Sequence, residues 1–488
     1  MAEHNSWPPV AWLWEEYWEN LAWYSGKPDR LRTVSGTEAT GKFWASDETV
    51  KVHVPVAADI VALGAGMIFA ESPKIECEDE RTQERIDDVC EKNGLYSKLL
   101  QAAELGGVCG GVFMKWTWNV DDGRPKLHVV PAYCGLPVWR GSELYQVRLW
   151  NIVREDEGTG NVWRTEETYT HDGHILTALH KGDAYNLGDT VPLDSIPETE
   201  GVAEDANSGS GMLLAVYVPN LLPNRDRPHV LFGRSDYDGL LGMFDELDEA
   251  YSSIQRETRL TKTTVIVPAE YLRKRDAIFG VDNPNCKATQ WVYSNNTGAF
   301  VALDIDSGQT SSPVTVINPD IRADQHIAIC EDLIRRIWQM AGYSPQSAGM
   351  DVTGSAESGT ALSMRERKTI RTTEVKKTHW WHALHHLMRG MLKLDAAVFR
   401  SGVDPDVELT IELPSNAQPD ISQMAEILEQ LERAGAISTE MKIELLHPDW
   451  DAEKRAAELE RIRSETAAPA QTEIDRILTE PASEGGEE

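Results

Sequence analysis

The sequence predicts an α+β chain, with a strand-bearing amino-terminal half followed by long helices around a small mixed insert. Three observations carry this. From Val52 to about Val230, short apolar runs bounded by Gly, Asp and Pro alternate with helix-like segments. Leu240, Phe244, Leu247, Tyr251 and Ile254, and later Ile327, Cys330, Ile334 and Ile337, step by three and four residues, a heptad-like helical seam. From Thr360 to Arg389 there is neither glycine nor proline, which permits a helix of ~45 Å.

Taken in order, residues 7–24 hold five tryptophans and two tyrosines, with Leu13, Tyr17 and Leu21 at helical spacing. A short amphipathic helix docked against a neighbouring subunit fits better than a sugar-stacking platform. VPVAADIVALGAGMIF reads as a helix leading into a short strand, and ERIDDVCEKNGLYSKLLQAAELGG as a helix pair broken at Asn93-Gly94. GVFMKWTWN and KLHVVPA are strands around the turn Asp121-Asp122-Gly123. ELYQVRLWNIV, NVWRTEETYTHDG and HILTALHKGD extend a meander, and the polar run Glu198–Gly211 is a surface loop.

Ser235 and Asp238 form a Ser-x-x-Asp capping box ahead of the first seam helix, which runs to about Thr261. In the insert from Thr263 to about Val316, TTVIVP, QWVYS and AFVALDI are strands and AEYLRKRDAIF a short helix. The second seam helix opens at Asp320 and ends near Gly342. Beyond the long helix, DVELTIELP is a strand whose partner must be distant. Asp420 and Gln423 cap a helix with Ile421, Met424, Ile427 and Leu431 on one face. Gly435 breaks it, residues 438–446 and about 450–464 continue as helices, and the acidic end is expected to be disordered.

Composition bounds the function. Of 488 residues, 41% are hydrophobic and 26% charged, ordinary for a globular chain. No run approaches the roughly eighteen apolar residues of a membrane span, and the amino terminus has no basic segment ahead of an apolar one, so cytosolic synthesis is expected. The six cysteines (77, 90, 109, 134, 286 and 330) show no CxxC spacing, which favours reduced thiols over a disulfide framework or zinc site. The net charge of −32 argues against tight nucleic-acid binding, because neutralising phosphates supplies most of that affinity.

The chemical motifs are weak. Gly349-Met-Asp-Val-Thr-Gly354-Ser355 is spaced like a phosphate loop, but serine stands where lysine is needed and a helix precedes it where a strand should. Gly64-Ala-Gly66 lacks the third glycine of a dinucleotide fingerprint. In Gly106-Gly-Val-Cys109-Gly-Gly111 the glycines suit close helix-to-strand packing better than a nucleophile loop. His379, His382, His385 and His386 include an i, i+4 pair, yet HExxH is absent and packing or capping suits them better than a metal. Arg365, Arg367, Lys368, Arg371, Lys376 and Lys377 gather on the first half of the long helix, where salt bridges between subunits rank ahead of a DNA-touching patch. No catalytic residue, metal or cofactor is expected.

What remains is an organisation: mixed domain, helix, small insert, helix, the glycine-rich stretch AGYSPQSAGMDVTGSAESGTAL, a very long helix, a strand return and a helical end. This order resembles the portal proteins of tailed bacteriophages, of the long-tailed type. FGRSDYDGLLGMFDELDEAYSSIQRETRLTKTTVIVP resembles a first stem helix entering the clip, and PDIRADQHIAICEDLIRRIWQMAGYSPQSAG a second stem helix entering the tunnel loop. AGAISTEMKIELLHPDWDAEKRAAELERI is similar to a portal crown.

The resemblance implies a wing over 1–232, stem helix 1 over 233–262 and a clip over 263–316. Stem helix 2 follows over 317–342, the tunnel loop over 343–358, and the long wing helix with its strand return over 359–418. The crown occupies 419–465 and an acidic tail 466–488. It further implies a homo-oligomeric ring, usually of twelve subunits, at one capsid vertex of the virion, assembled in the host cytoplasm. Double-stranded DNA would pass loosely through its channel. The terminase, a head-tail adaptor, and the major capsid and scaffolding proteins would be partners, with no membrane.

Mapped residue by residue, Gln346, Ser347, Met350, Asp351, Thr353, Ser355 and Glu357 would line the channel. Arg259, Lys262, Arg273, Lys274 and Arg275 would serve the stem and clip. Leu240, Phe244, Leu247, Tyr251, Ile254, Ile327, Ile334 and Ile337 would pack between subunits. A small, polar, faintly acidic rim suits a sliding polyanion, since it offers no deep binding minimum, and with a Debye length of about 8 Å only nearby walls matter. Two other readings remain: a different virion head or adaptor protein, and a carbohydrate-active hydrolase, for which no carboxylate pair can be named.

Overall fold

The computed structural model describes residues 7–27, 52–156, 158–260, 264–268, 300–303, 315–317, 322–350, 359–414, 421–447, 450 and 453–464. These fall into two compact units. The first holds residues up to Val352 and Arg365–Pro414; the second holds Thr353–Met364 and Ser415–Glu488.

In the first unit, helix α1 (Ala11–Ser25) buries Leu13, Trp14, Tyr17, Ala22 and Trp23 against its own chain. Four large apolar side chains of this helix are thus covered internally, so a neighbouring subunit would meet its outer face alone. Only Trp18, 52% exposed, stands clear. Helix α2 (Val56–Ile68) crosses it, followed by strand β1 (Lys74–Cys77). The break at Asn93-Gly94 divides α3 (Glu80–Asn93) from α4 (Leu95–Cys109). Asp79 caps α3 by accepting the Thr82 N–H at 2.9 Å, and Glu80 and Lys92 complement its dipole at either end.

Strands β2 (Gly111–Thr117) and β3 (Lys126–Pro131) flank the anticipated turn, and β10 (Ala215–Pro219) completes an antiparallel sheet in the order β10-β2-β3. The meander is β4 (Gly135–Arg140), β5 (Glu143–Asp156), β6 (Asn161–Thr170), β7 (His174–Gly182) and β8 (Asp189–Val191), with β9 (Asp205–Asn207) paired to β7. The run 198–211 is thus partly strand, and Ser208 and Ser210 within it are buried.

Helix α5 (Leu241–Leu260) and helix α6 (Ala323–Ala341) pack together. Glu257 joins the end of one to the start of the other, accepting from Arg322 Nε at 3.2 Å and pairing with His326. Between them lie β11 (Thr264–Pro268), β12 (Phe300–Leu303) and β13 (Thr315–Ile317), a sheet in which β11 runs parallel to β12 and antiparallel to β13. QWVYS, AEYLRKRDAIF, Asp320, Asp420 and the acidic tail lie outside the described residues.

The long helix α7 (Gly359–Leu394) ends in a π turn over Asp395–Phe399. Strand β14 (Leu409–Glu412) then pairs antiparallel with β1 across more than three hundred residues, Lys74 facing Glu412 and Cys77 facing Leu409. In the second unit, α8 (Ile421–Arg433) and α9 (Thr439–Leu446) precede a helix over 453–464. On α8 Leu428 is buried while Ile427 is 46% exposed, so the expected Ile427 face is displaced by one position.

Three further expectations change. The Ser235–Asp238 capping box does not form: Ser235 Oγ donates to the Gly107 carbonyl at 3.0 Å, Asp238 faces Arg225 at 3.6 Å, and the helix begins later. The basic run on α7 is not an intersubunit face where its side chains are buried. Lys376 pairs inside the chain with Asp236 at 2.5 Å, and Lys377 with Glu374 at 3.2 Å. The glycines at 106–111 do serve close packing: a Cβ on Gly107 would stand 3.0 Å from Asp236 Oδ2 and from Val61, and one on Gly64 2.5 Å from the Tyr343 hydroxyl.

Two measurements follow from this packing. Lys376→Met would strand the Asp236 carboxylate, 1% exposed, and is expected to cost about 3–5 kcal/mol in chemical denaturation; a loss under about 1 kcal/mol would refute the pairing. On α1, burial and then the carboxylates of Asp238, Asp226 and Glu19 push Glu16 up to about 7, against the pull of Arg227. A raised carboxyl pKa means the folded chain holds the proton more tightly. That stability is present below 4.5, declines as pH rises, and is gone above about 7. Glu16→Gln should therefore flatten stability between pH 5 and 7.5 and gain ~1–2 kcal/mol at pH 8 after allowance for solvent screening. An unchanged pH slope would reject the assignment.

Candidate functional site: the loop between two helices and its anchorage

Helix α6 ends where Gly342 turns into the left-handed region at φ 98°, a conformation that favours glycine. The chain then descends onto one face of α7. Thr372 Oγ1 donates to the Gly342 carbonyl at 2.8 Å, and Thr369 Oγ1 accepts the Ser344 N–H at 2.8 Å. Ser347 Oγ lies 3.0 Å from the same Thr369 hydroxyl, and Lys368 Nζ donates to the Gln339 carbonyl. One turn further on, Lys376 Nζ reaches the Tyr343 hydroxyl at 2.9 Å. Positions 369, 372 and 376 are spaced to share a helix face.

Beneath the loop sits a buried polar centre. Asp236 accepts from Lys376 at 2.5 Å and from Asn220 Nδ2 at 2.7 Å, and its N–H donates to the Gly107 carbonyl at 2.9 Å. Burial pulls the Lys376 ammonium below its usual range, and Asp236 opposes that pull. Burial also drives Tyr343 well up, which keeps the hydroxyl neutral as a hydrogen-bonding group.

The expected channel residues divide accordingly. Gln346, Ser347 and Met350 are half-buried, and Met350 with Ala348 packs against the core cluster of α1, α2, α5 and α6. The Met350 N–H donates to the Pro345 carbonyl at 3.0 Å, and the Gly349 N–H to the Gln346 carbonyl at 2.9 Å. This first half is a clamped turn. Asp351, Thr353, Ser355 and Glu357 lie outside the described residues, as do Lys262, Arg273, Lys274 and Arg275 and the Arg259 side chain.

The seam residues divide as well. Leu240, Phe244, Leu247 and Ile337 are at most 2% exposed within the chain, so they cannot contact a neighbouring subunit in this conformation. Tyr251, Ile254 and Ile334 are half-buried, and Ile327 is 51% exposed. Heptad spacing showed correctly that one face is covered, but the partner is the chain's own core. On α7, His386 Nε2 lies 2.7 Å from the Leu213 carbonyl, a packing role. Among the described residues no group of three or more His, Cys, Asp or Glu is placed to hold a metal.

Sequence reasoning missed Thr369, Thr372 and Asp236. The run KTIRTTEVKK looks like a solvated face, and its burial is decided by segments distant in sequence.

A family model described as Phage portal protein, SPP1 Gp6-like, matches residues 19–472. The chain belongs to that family. It is a phage portal protein, of a structural family with a head-to-tail connector role at the capsid vertex. No curated protein matches the chain. Among the described residues of this portal, no helix is long and apolar enough to cross a membrane.

The anchorage of the portal loop can be tested directly. Thr369→Val would leave the buried Ser344 N–H without its acceptor, at a cost of about 1–3 kcal/mol. Limited proteolysis should then cut faster near Gln346–Met350; unchanged cleavage and stability would show that the clamp lies elsewhere.

Proposed function

We propose that copies of this chain, twelve in the usual portal stoichiometry, close into a ring whose bore passes double-stranded viral DNA during packaging and ejection. In this reading the amino-terminal sheets form the wing, α5 and α6 the stem, the β11–β13 insert the clip, and residues after Met350 the rim nearest DNA. The clip docks the terminase and then the head-tail adaptor. The outer surface meets the major capsid and scaffolding proteins.

One observation carries the reading beyond family membership. Helices α5 and α6 are joined through Glu257 and bracket a small sheet, and α6 delivers the chain into a turn clamped on α7. A conduit needs such a clamp, because a passing duplex pulls on any loop that touches it, and the polar bonds at Thr369 and Thr372 resist that pull. The reading is also supported by Ile327, Ile329 and Met340 on α6, 51–56% exposed in the single chain. Apolar groups so exposed gain by being covered in an oligomer.

Negative-stain images of the purified chain are expected to show rings with a central hole. Ile327→Glu combined with Ile329→Glu should leave folded monomers, since both residues are more than half exposed in the single chain and neither fills the core. For the rim, Asp351→Lys with Glu357→Lys should preserve rings while raising DNA affinity and steepening its salt dependence, by a log–log slope of roughly 0.9 per phosphate newly neutralised. Intact rings from the first variant would reject the helix interface. Unaltered DNA binding by the second would remove residues 351–357 from the bore.

A further inference from the structure

We propose that the recess between the α3–α4 junction and strand β3 is a binding site for a phosphate-class oxyanion. The recess measures about 280 Å³ and is lined by Lys92, Lys98, Arg124, Lys126, His128 and Gln101, together with the Asn93 wall. It contains no carboxylate in its lining, although the chain has 79 acidic residues against 47 basic ones. Two of the four cations, Lys92 and Lys126, are paired with carboxylates at the rim. The two deeper ones, Lys98 and Arg124, converge on the recess without a salt-bridge partner among the described residues, an arrangement a bound anion would relieve.

The wall is built rather than incidental. Asn93 Nδ2 donates to the Val89 and Pro125 carbonyls at 2.9 and 3.0 Å, and its Oδ1 accepts the Leu127 N–H at 2.9 Å. That amide locks β3 onto the end of α3 and spends its own hydrogen bonds in doing so. Lys98 Nζ donates to the Leu127 carbonyl at 2.6 Å, with Asn93 Oδ1 at 3.5 Å. Of its three protons one remains for a ligand. The buried Nε of Arg124 has no hydrogen-bond partner among the described residues. At the rim, Lys92 and Lys126 each hold one carboxylate, Asp88 at 2.5 Å and Asp122 at 2.7 Å. The rim charges are thus compensated; Asp88 also attracts Arg124, but neither Arg124 nor Lys98 has a carboxylate within salt-bridge distance among the described residues.

Electrostatics agrees with this geometry. Burial pulls the Lys98 ammonium down. Burial, then the charges of Lys115 and Lys98 and more weakly Lys126, pulls the His128 imidazole down against the opposing carboxylate of Glu167, and its Nε2 lies 2.9 Å from the Thr117 hydroxyl. An arriving phosphoryl group would reverse both effects. Phosphate suits the site better than a single carboxylate, because a planar guanidinium, an ammonium and the Gln101 amide can each address a different oxygen. The oxyanion could be a free phosphate or a phosphodiester, and the experiment separates the two. The inference does not depend on the ring, because the recess lies within one chain.

The test is calorimetric titration of the full chain with inorganic pyrophosphate at low salt, alongside imidazole C2 hydrogen exchange to read the His128 titration. Saturable binding and an upward move of the His128 midpoint are expected. Lys98→Gln with Arg124→Gln should weaken binding roughly tenfold or more, since charged hydrogen bonds are lost. Displacement of pyrophosphate by a short duplex would assign the recess to nucleic-acid phosphate; resistance to displacement would assign it to a free phosphate. No saturable heat with an unmoved His128 would overturn the site, and so would undiminished binding by a folded double variant. Should that variant fail to fold, the His128 midpoint in the unaltered chain still decides.

Discussion

A single buried ion pair, Lys376 with Asp236, fixes where the long helix of this portal chain can lie. Both side chains are 1% exposed, so neither charge is tolerable without the other. The pair also gathers remote segments. The Gly107 carbonyl receives the Asp236 N–H, Asn220 donates to the same carboxylate, and Tyr343 accepts from the Lys376 ammonium. Five stretches of chain therefore meet at one point, and each contributes hydrogen-bonding groups that water can no longer reach. Such a centre leaves little freedom of register, because sliding α7 by one residue would turn Lys376 away from its carboxylate and bury a different side chain there.

The small residues around this centre follow from its geometry. Gly64 and Gly107 stand where any Cβ would press on the Tyr343 hydroxyl or the Asp236 carboxylate. The loop inherits the same constraint. Because Tyr343 is held beneath it and Thr369 and Thr372 above, the segment Ser344–Met350 leaves α6 in one direction only. Glycine and serine by themselves permit a pliable stretch. The hydroxyls spend themselves on anchorage instead, so small polar residues here report tight backbone approach as much as mobility.

Much of the architecture was legible locally. The break at Asn93-Gly94, the turn at Asp121–Gly123, the seam helices and the strand return at Leu409–Glu412 all follow from periodicity and turn chemistry. Even the need for a remote strand partner could be inferred, since an isolated strand cannot satisfy its backbone. Which strand it was could not. The errors share a cause. Ser235 and Asp238 have the chemistry of a cap, yet Gly107 competes for the serine and Arg225 for the aspartate. Leu247 and Ile337 look like interface positions, yet the aromatic helix α1 and helix α2 reach that core first. A one-dimensional pattern records that a face is covered, and it does not record by what.

The same distinction bears on charge. A chain of net charge −32 is a poor neighbour for DNA, and part of its positive charge is already engaged internally. Lys376, Arg85 and Arg148 are committed to carboxylates within the chain, Arg85 to the fully buried Asp395 at 2.7 Å and Arg148 to Glu166 at 2.6 Å. Each such pair neutralises a carboxylate along with its cation, so the net charge outside stays that of the count while fewer cations are left to meet phosphate. Under the proposed reading, in which a duplex passes through a ring of these chains, a net negative charge is an asset: it keeps contacts brief and leaves the work of holding DNA to geometry rather than to affinity.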